Sequence, residues 1–252
     1  MRKALVTGAS EGIGRAFAKK LAKDGYCITA VARNEEQLES LMKELGTDLP
    51  HSFQKADLTE KKDLTSINDL IASTHWDLLV NNAGRGQFGE FSKMELDSQL
   101  SMIDLNVKAL VALAHGFLKQ AKKGDALINV SSVVGFLPYP PQGVYAATKA
   151  FVNSFTQSLW YENKGRGVFV MGLCPGPTKS QFLARSGSDP KVVPGYVWQT
   201  PEQVVNFTLK KLKRRRSPLI VSGMTGRCLK VFTGLVPDRI STKVAALSTP
   251  DY

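Results

Sequence analysis

Ala4-Leu5-Val6-Thr7-Gly8-Ala9-Ser10-Glu11-Gly12-Ile13-Gly14 is the stretch that decides the fold. An apolar, β-prone run ends in a turn with three glycines. A repeat of Ile13, Phe17 and Leu21 at four-residue spacing follows it, as a helix requires. Glycines at 8, 12 and 14 permit a tight turn and let backbone N–H groups approach a diphosphate at the helix N-terminus. Glycines also simply make turns; the strand–turn–helix context is what points to a dinucleotide.

Outward from this unit, β-rich runs alternate with helical stretches. The expected strands are Ala4–Thr7, Cys27–Ala32, Ser52–Ala56, Leu78–Asn81, Ala126–Ser131, Val168–Cys174 and Leu219–Ser222. Leu38, Leu41, Met42 and Leu45 mark one amphipathic stripe, and Leu64, Ile67, Leu70 and Ile71 another. A longer helix is expected from Asp97 to about Ala121, and one more from about Tyr145 to Asn163, ahead of Gly165. Asn106 falls inside the first of these, where asparagine is a poor helix former, so a local kink or bound water is expected. The alternation predicts an α/β fold, a doubly wound parallel sheet with helices on both faces, in one domain over residues 1–252. The irregular segment 180–200, with Gly187, Ser188, Asp189, Pro190, Pro194 and Gly195, leaves the sixth strand at its carboxyl end, where ligands bind in such sheets. It reads as a substrate lid.

A chain of 252 residues, 43% hydrophobic and 22% charged, is long enough for a full core. Cys27, Cys174 and Cys228 have no metal-ligand spacing and read as reduced packing residues in a cytosolic setting. His51, His75 and His115 are scattered, apart from any Cys or carboxylate cluster, so no metal site is expected. No segment reaches the ~18 uninterrupted apolar residues of a membrane span, which predicts a cytoplasmic chain or one touching a membrane from outside. Residues 201–252 hold ten Lys/Arg against Glu202, Asp238 and Asp251, a net +7 of the total +11. This basic C-terminal segment is a solvated face, a contact for anionic lipid head groups, or one for a phosphate-bearing carrier such as coenzyme A. Nucleic acid is not an expected partner, because no aromatic-interleaved basic surface accompanies the run.

At the tip of the second strand an acid would bind the adenosine ribose 2′-hydroxyl of NAD and repel a 2′-phosphate. Here the chain reads Ala30-Val31-Ala32-Arg33-Asn34, and a guanidinium can hold that phosphate, so the expected cofactor is NADP(H). Arg15 is expected to assist; Glu11 argues mildly the other way. Tyr145 and Lys149 lie four apart, on one face of a helix. An ammonium there favours phenolate, so the tyrosine is expected to ionise below its usual ~10 and to exchange a proton with an alcohol or carbonyl oxygen. Ser132, thirteen residues earlier at the end of the fifth strand, can donate to a developing oxyanion.

Thr7–Gly14, Asn81-Asn82-Ala83-Gly84, Asn106, Ser132, Tyr145, Lys149 and Pro175-Gly176 together resemble, in order and spacing, the motifs of the short-chain dehydrogenase/reductase family. The resemblance covers essentially the whole chain. It implies a Rossmann-type sheet of about seven strands and a catalytic tetrad of Asn106, Ser132, Tyr145 and Lys149. It implies a cofactor site built on Gly8, Ser10, Gly12, Ile13 and Gly14, with Asp57 and Leu58 at the adenine and Asn82, Ala83 and Gly84 beyond. Asn81 would support the central strand, Lys149 the nicotinamide ribose, and Pro175-Gly176 the nicotinamide amide. Many members carry a threonine five residues after that proline; here Ser180 stands there and Thr178 two positions earlier, so either hydroxyl is expected to reach the cofactor. A homodimer or homotetramer is also implied, and the tail Pro201–Tyr252 is loosely similar to those of 3-oxoacyl and hydroxysteroid-type reductases near membranes.

The leading functional expectation is NADPH-dependent reduction of a carbonyl on an apolar small molecule, with Phe88, Phe91, Phe136, Leu137, Pro138 and Tyr139 supplying the apolar surroundings. The alternatives are an NADP-dependent alcohol dehydrogenase working oxidatively and a non-catalytic NADP(H)-binding regulator.

Overall fold

The computed structural model of the chain describes residues 1–187 and 194–247. Strands β1 (Arg2–Thr7), β2 (Tyr26–Ala32), β3 (Ser52–Lys55), β4 (Leu78–Asn81), β5 (Ala126–Val130), β6 (Phe169–Cys174) and β7 (Leu219–Val221) form one sheet. Their order is β3-β2-β1-β4-β5-β6-β7 and every pairing is parallel. All seven expected strands are present, their ends displaced by a residue or two. The helices are α1 (Gly12–Lys23), α2 (Glu35–Leu45), α3 (Lys61–Ser73), α4 (Leu96–Ile103), α5 (Leu110–Gln120), α6 (Gly143–Asn163), α7 (Phe182–Ser186), α8 (Pro201–Arg214), α9 (Met224–Leu235) and α10 (Asp238–Leu247).

Parallel strands covered on both sides read as continuous apolar runs, because both faces are buried. In β1, Ala4 and Val6 pack into the layer with Phe17 and Leu21 of α1, Leu38 and Leu41 of α2, and Val204 and Leu209 of α8. Leu5 points the other way, toward Ile67 and Ile71 of α3, Leu113 and Phe117 of α5, and Leu159 of α6. The period-two alternation of the strand thus meets the stripes of helices on opposite faces. This is the α/β doubly wound Rossmann-type fold.

The run Leu96–Gln120 has the length and mean hydropathy (1.3) of a membrane-crossing helix. Its Met102, Ala109, Leu113 and Phe117 are instead part of the buried interior. Between α4 and α5 the residues Asp104–Ala109 form a π-helical turn, which is the kink expected around Asn106.

One histidine differs from expectation, and another takes the structural role expected of it. His75 does sit beside carboxylates: its ring nitrogen, Asp77 and Asp125 lie within 4.8 Å of one another. Neighbouring β4 and β5 bring together residues far apart in sequence, and both acids already accept backbone N–H groups, from Lys3 at 2.7 Å and Lys122 at 2.6 Å. His51 is built into the sheet margin, where its Nδ1 accepts the Ile28 N–H at 3.0 Å; burial holds its pKa below the usual value.

Candidate active site

The β1–α1 turn, the tips of β2, β4, β5 and β6, and the chain after β6 enclose a cavity of about 830 Å³ at the carboxyl edge of the sheet. It sits where the strand order reverses between β1 and β4, the usual crevice of such folds. Gly8 and Gly12 have φ of +64° and +54°, which side chains rarely adopt. A Cβ on Gly14 would lie 2.1 Å from the Gly8 carbonyl oxygen, so this glycine keeps α1 close to the turn without itself facing the cavity. Asn82 Nδ2 donates to the carbonyls of Thr7 and Gly8 at 2.9 and 3.1 Å, and the Asn82 N–H donates to Thr7 Oγ1. The glycine turn is therefore braced from β4. Asn81 donates across to Asn129 and to the Leu110 carbonyl, tying β4 to β5 and α5.

At one end of the cavity, Arg33 projects into solvent and reaches Asp57 at 3.4 Å. Asn34 caps α2 by accepting the Gln37 N–H at 2.9 Å, which fixes the backbone that carries Arg33. Burial would raise the Asp57 carboxyl, but hydrogen bonds from the Thr59 side chain and backbone, with Arg33, outweigh it and hold the acid below its usual pKa. Arg15 does not join this end. Its guanidinium is engaged by the Ser10 and Gln37 carbonyls, Ser40 and Glu44 (2.6 Å), and it lies off the cavity wall.

At the other end, α6 presents Tyr145 and Lys149 on one face, both nearly fully buried. The Lys149 Nζ lies 5.6 Å from the Tyr145 ring centroid and donates to the Val130 carbonyl at 2.9 Å. Ser132 hydrogen-bonds the Tyr145 phenol. The expected acidification of Tyr145 is not what this arrangement gives. Burial pushes the phenol above its ordinary value, with only the Ser132 bond pulling down, and the same burial lowers Lys149 to about 8. Desolvation disfavours both charged forms and outweighs their attraction at this spacing. Asn106 is behind the wall, not on it: its Oδ1 accepts the Arg85 N–H at 3.0 Å and its Nδ2 donates to the Arg85 carbonyl and to Thr148 of α6. A Cβ on Gly84 would come within 3.0 Å of Asn106 Oδ1 and 3.4 Å of Lys149 Nζ, so a side chain there would press on both groups.

The segment after β6 closes over this floor. Thr178 and Gln199 form a parallel bridge, secured by Lys179 N–H to the Gln199 carbonyl and Gln199 N–H to the Pro177 carbonyl. Both stems of the expected lid are thereby pinned side by side; its Ser188, Asp189 and Pro190 lie outside the described residues. Within it, Phe182 tilts against Tyr145 with centroids 5.6 Å apart. Arg185 reaches across the mouth to Glu11 in the glycine turn, Nη1–Oε1 2.6 Å and Nη2–Oε2 2.8 Å.

A family model, short chain dehydrogenase, matches residues 2–191. This chain belongs to the short-chain dehydrogenase/reductase family. It is 35% identical to sulfoacetaldehyde reductase 2 of Chromohalobacter salexigens, over 73% of this chain and 76% of that protein. Among solved structures, it is similar to a short-chain dehydrogenase of Sphingobium yanoikuyae in complex with NADPH (TM-score 0.82, 27% identity, 94% and 97% of the two chains). It is likewise similar to the bulky-bulky ketone specific alcohol dehydrogenase of Comamonas testosteroni (TM-score 0.78, 28% identity, 94% and 95%). The protein is an oxidoreductase acting on CH–OH and C=O groups with a nicotinamide cofactor. Positive-φ Gly8 and Gly12, where a Cβ would strike Asn82 and press on Ser180 respectively, fit the backbone-lined cradle a dinucleotide diphosphate needs.

Of the residues singled out in the sequence, Gly8, Ser10, Gly12, Ile13, Arg33, Asp57, Leu58, Asn82, Ala83, Gly84, Ser132, Tyr145, Lys149, Pro175, Gly176, Thr178 and Ser180 line the cavity, and Gly14 and Asn106 do not. Of the apolar set, Phe88 and Tyr139 line it; Phe91 is exposed, Phe136 packs with Val133 and Cys174, and Leu137 and Pro138 stay off the wall. Sequence reasoning missed Gln142, Phe182, Leu183 and Arg185. Gln142, three residues before Tyr145 on the same approach to α6, was within reach of a spacing argument. The other three sit in an irregular segment with no periodicity to read.

Proposed function

We propose that this short-chain dehydrogenase/reductase is an NADPH-dependent reductase of a neutral, apolar ketone. The carrying observation is the wall around Tyr145 and Ser132: Val133, Val134, Tyr139, Phe182 and Leu183 are apolar or aromatic. Apart from Lys149 beneath it, the cations lining the described cavity are Arg33 at the far end and Arg185, already paired with Glu11. Among the described residues, a sulfonate or carboxylate substrate would meet no unpaired cation there other than Lys149. The cofactor supplies the hydride. Ser132 and Tyr145 hold the carbonyl oxygen, and Tyr145 gives it the phenolic proton, an acid that burial keeps protonated across the working pH range. Lys149 holds the nicotinamide ribose, and Asn106 keeps Arg85 and Thr148 in place behind it. Arg33 takes the 2′-phosphate, with Asp57 and Leu58 at the adenine.

The segment 180–200 acts as the lid, swinging on the pinned stems at Thr178 and Gln199. The chain works as one domain in the cytoplasm, in keeping with three free thiols. It self-associates through the exposed Leu96, Leu100 and Ile103 of α4 and Phe151 of α6.

The test is turnover of neutral bulky ketones and of small anionic aldehydes with NADPH and with NADH. The expected result is at least about tenfold higher kcat/KM for the neutral ketones and for NADPH. In Arg33→Asp, NADPH should weaken about 10- to 100-fold while NADH changes little. Preference for the anionic aldehydes would overturn the substrate class, and an unchanged NADPH:NADH ratio in that variant would overturn the role of Arg33.

A further inference from the structure

Beyond the catalytic cavity, the C-terminal helices α9 and α10 turn the wrong face outward. In an ordinary surface helix the apolar stripe is buried. In α9 the outward stripe is Met224, Val231 and Leu235, with the exposed Cys228 between them, while Gly226 faces the core. In α10 it is Ile240, Val244 and Leu247, with Ser241 and Ala245 buried. Met224, Leu235 and Leu247 are 78%, 78% and 82% exposed. Two consecutive helices thus each turn large apolar side chains into water, although Leu229 of α9 packs inward, and water alone does not favour such exposure.

The charges beside it select the occupant. Arg239 and Lys243 flank the stripe on α10, whereas Arg227 and Lys230 of α9 turn back over the rings of Phe207 and Phe136; Asp238 is the sole acid in the pair. A second copy docking this face about a two-fold axis would set these cations against themselves. An anionic lipid surface accepts both features, with the stripe at the acyl boundary and the cations among the head groups. We infer that α9–α10 is a docking surface for an anionic membrane leaflet. The pair packs on the turns that wall the cavity, α9 on Val133–Phe136 and α10 on Pro140–Gln142. Docking therefore sets the cavity beside the lipid phase, where an apolar substrate concentrates. The basic run of Lys210, Lys211, Lys213, Arg214, Arg215 and Arg216, part of the same C-terminal charge excess, lies at and just past the end of α8, outside α9 and α10.

The test is co-sedimentation of the full chain with vesicles of phosphatidylcholine alone or mixed with phosphatidylglycerol. Binding is expected to the mixed vesicles and to fall with added salt. The double variant Leu235→Glu/Leu247→Glu should bind at least about tenfold more weakly, and Arg239→Gln/Lys243→Gln about fivefold more weakly per charge removed. Both variants should keep the turnover of a water-soluble ketone, which shows that they are folded. Equal binding to both vesicle types, or unchanged binding by either variant, overturns the inference. So does a loss of self-association in Leu235→Glu/Leu247→Glu with vesicle binding intact, since the face would then join copies of the chain.

Discussion

The two ends of the cavity are built from different materials. The β1–α1 end is backbone: positive-φ glycines, carbonyls braced by Asn82, and an α2 cap at Asn34. The Tyr145 end is side chains packed from distant elements, with Phe182 of α7, Ser132 after β5 and Lys149 of α6 meeting at the cavity floor. Backbone recognition is fixed by local residue order and tolerates no Cβ. Side-chain recognition is fixed by burial, which sets the acidity of the groups it gathers. A cofactor shared across a family suits the first construction, and a substrate particular to one member suits the second.

The largest effect should come from breaking the side-chain end while sparing the backbone end. Tyr145→Phe removes one hydroxyl from a ring held by Phe182 and by α6, so folding and cofactor binding should be unaltered. Its kcat should fall by about 10²–10⁴-fold, the usual loss of a general acid. NADPH affinity, followed by fluorescence titration in the same variant, should change by less than about threefold. Near-normal turnover would remove Tyr145 from the chemistry, whereas loss of cofactor binding would mean the two ends are not separable.

This division also explains what the sequence could disclose. The strands and the glycine turn were legible because a parallel strand buried on both faces is an unbroken apolar run, and because a positive φ demands glycine. The pairing of Tyr145 with Lys149 was legible because four residues make one helical turn. Their acidity was not: spacing suggested mutual attraction, while the decisive quantity was desolvation by burial, which no spacing in the sequence displays. Arg15 looked available for a phosphate until α2 brought Glu44 to it. Asn106 was correctly placed at a break in its helix, yet its side chain turned to Arg85 and Thr148. The inverted stripes of α9 and α10 carry the same periodicity as buried ones, so only burial reveals which way they face.

Burial leaves a mark that pH can read. Lys149, held at about 8 where the free side chain titrates at 10.5, loses its proton on a moderate rise in pH, while Tyr145 remains protonated. The acid needed for reduction therefore persists and the ammonium does not. In the free enzyme, kcat/KM for ketone reduction should be level below about pH 7 and fall about tenfold per unit above about 8. A profile flat to about pH 10 would show that Lys149 keeps its proton, and that attraction to its surroundings exceeds the desolvation that lowers it.

The smallest effect concerns Glu11 with Arg185, among the described residues the one ion pair that joins the two ends, partners 174 residues apart in sequence. Its geometry is bidentate, but the side chains are 33% and 66% exposed, so water and salt screen it. Exposed pairs of this kind contribute about 0.2–1 kcal/mol. Glu11→Gln should therefore speed NADPH release by no more than about fivefold, and added salt should reproduce most of that change in the native chain. Stopped-flow displacement of NADPH measures both. A larger effect in Glu11→Gln would mean that α7 depends on this contact to stay over the cavity. No effect would leave closure to Phe182 against Tyr145, placing control of the lid wholly at the side-chain end.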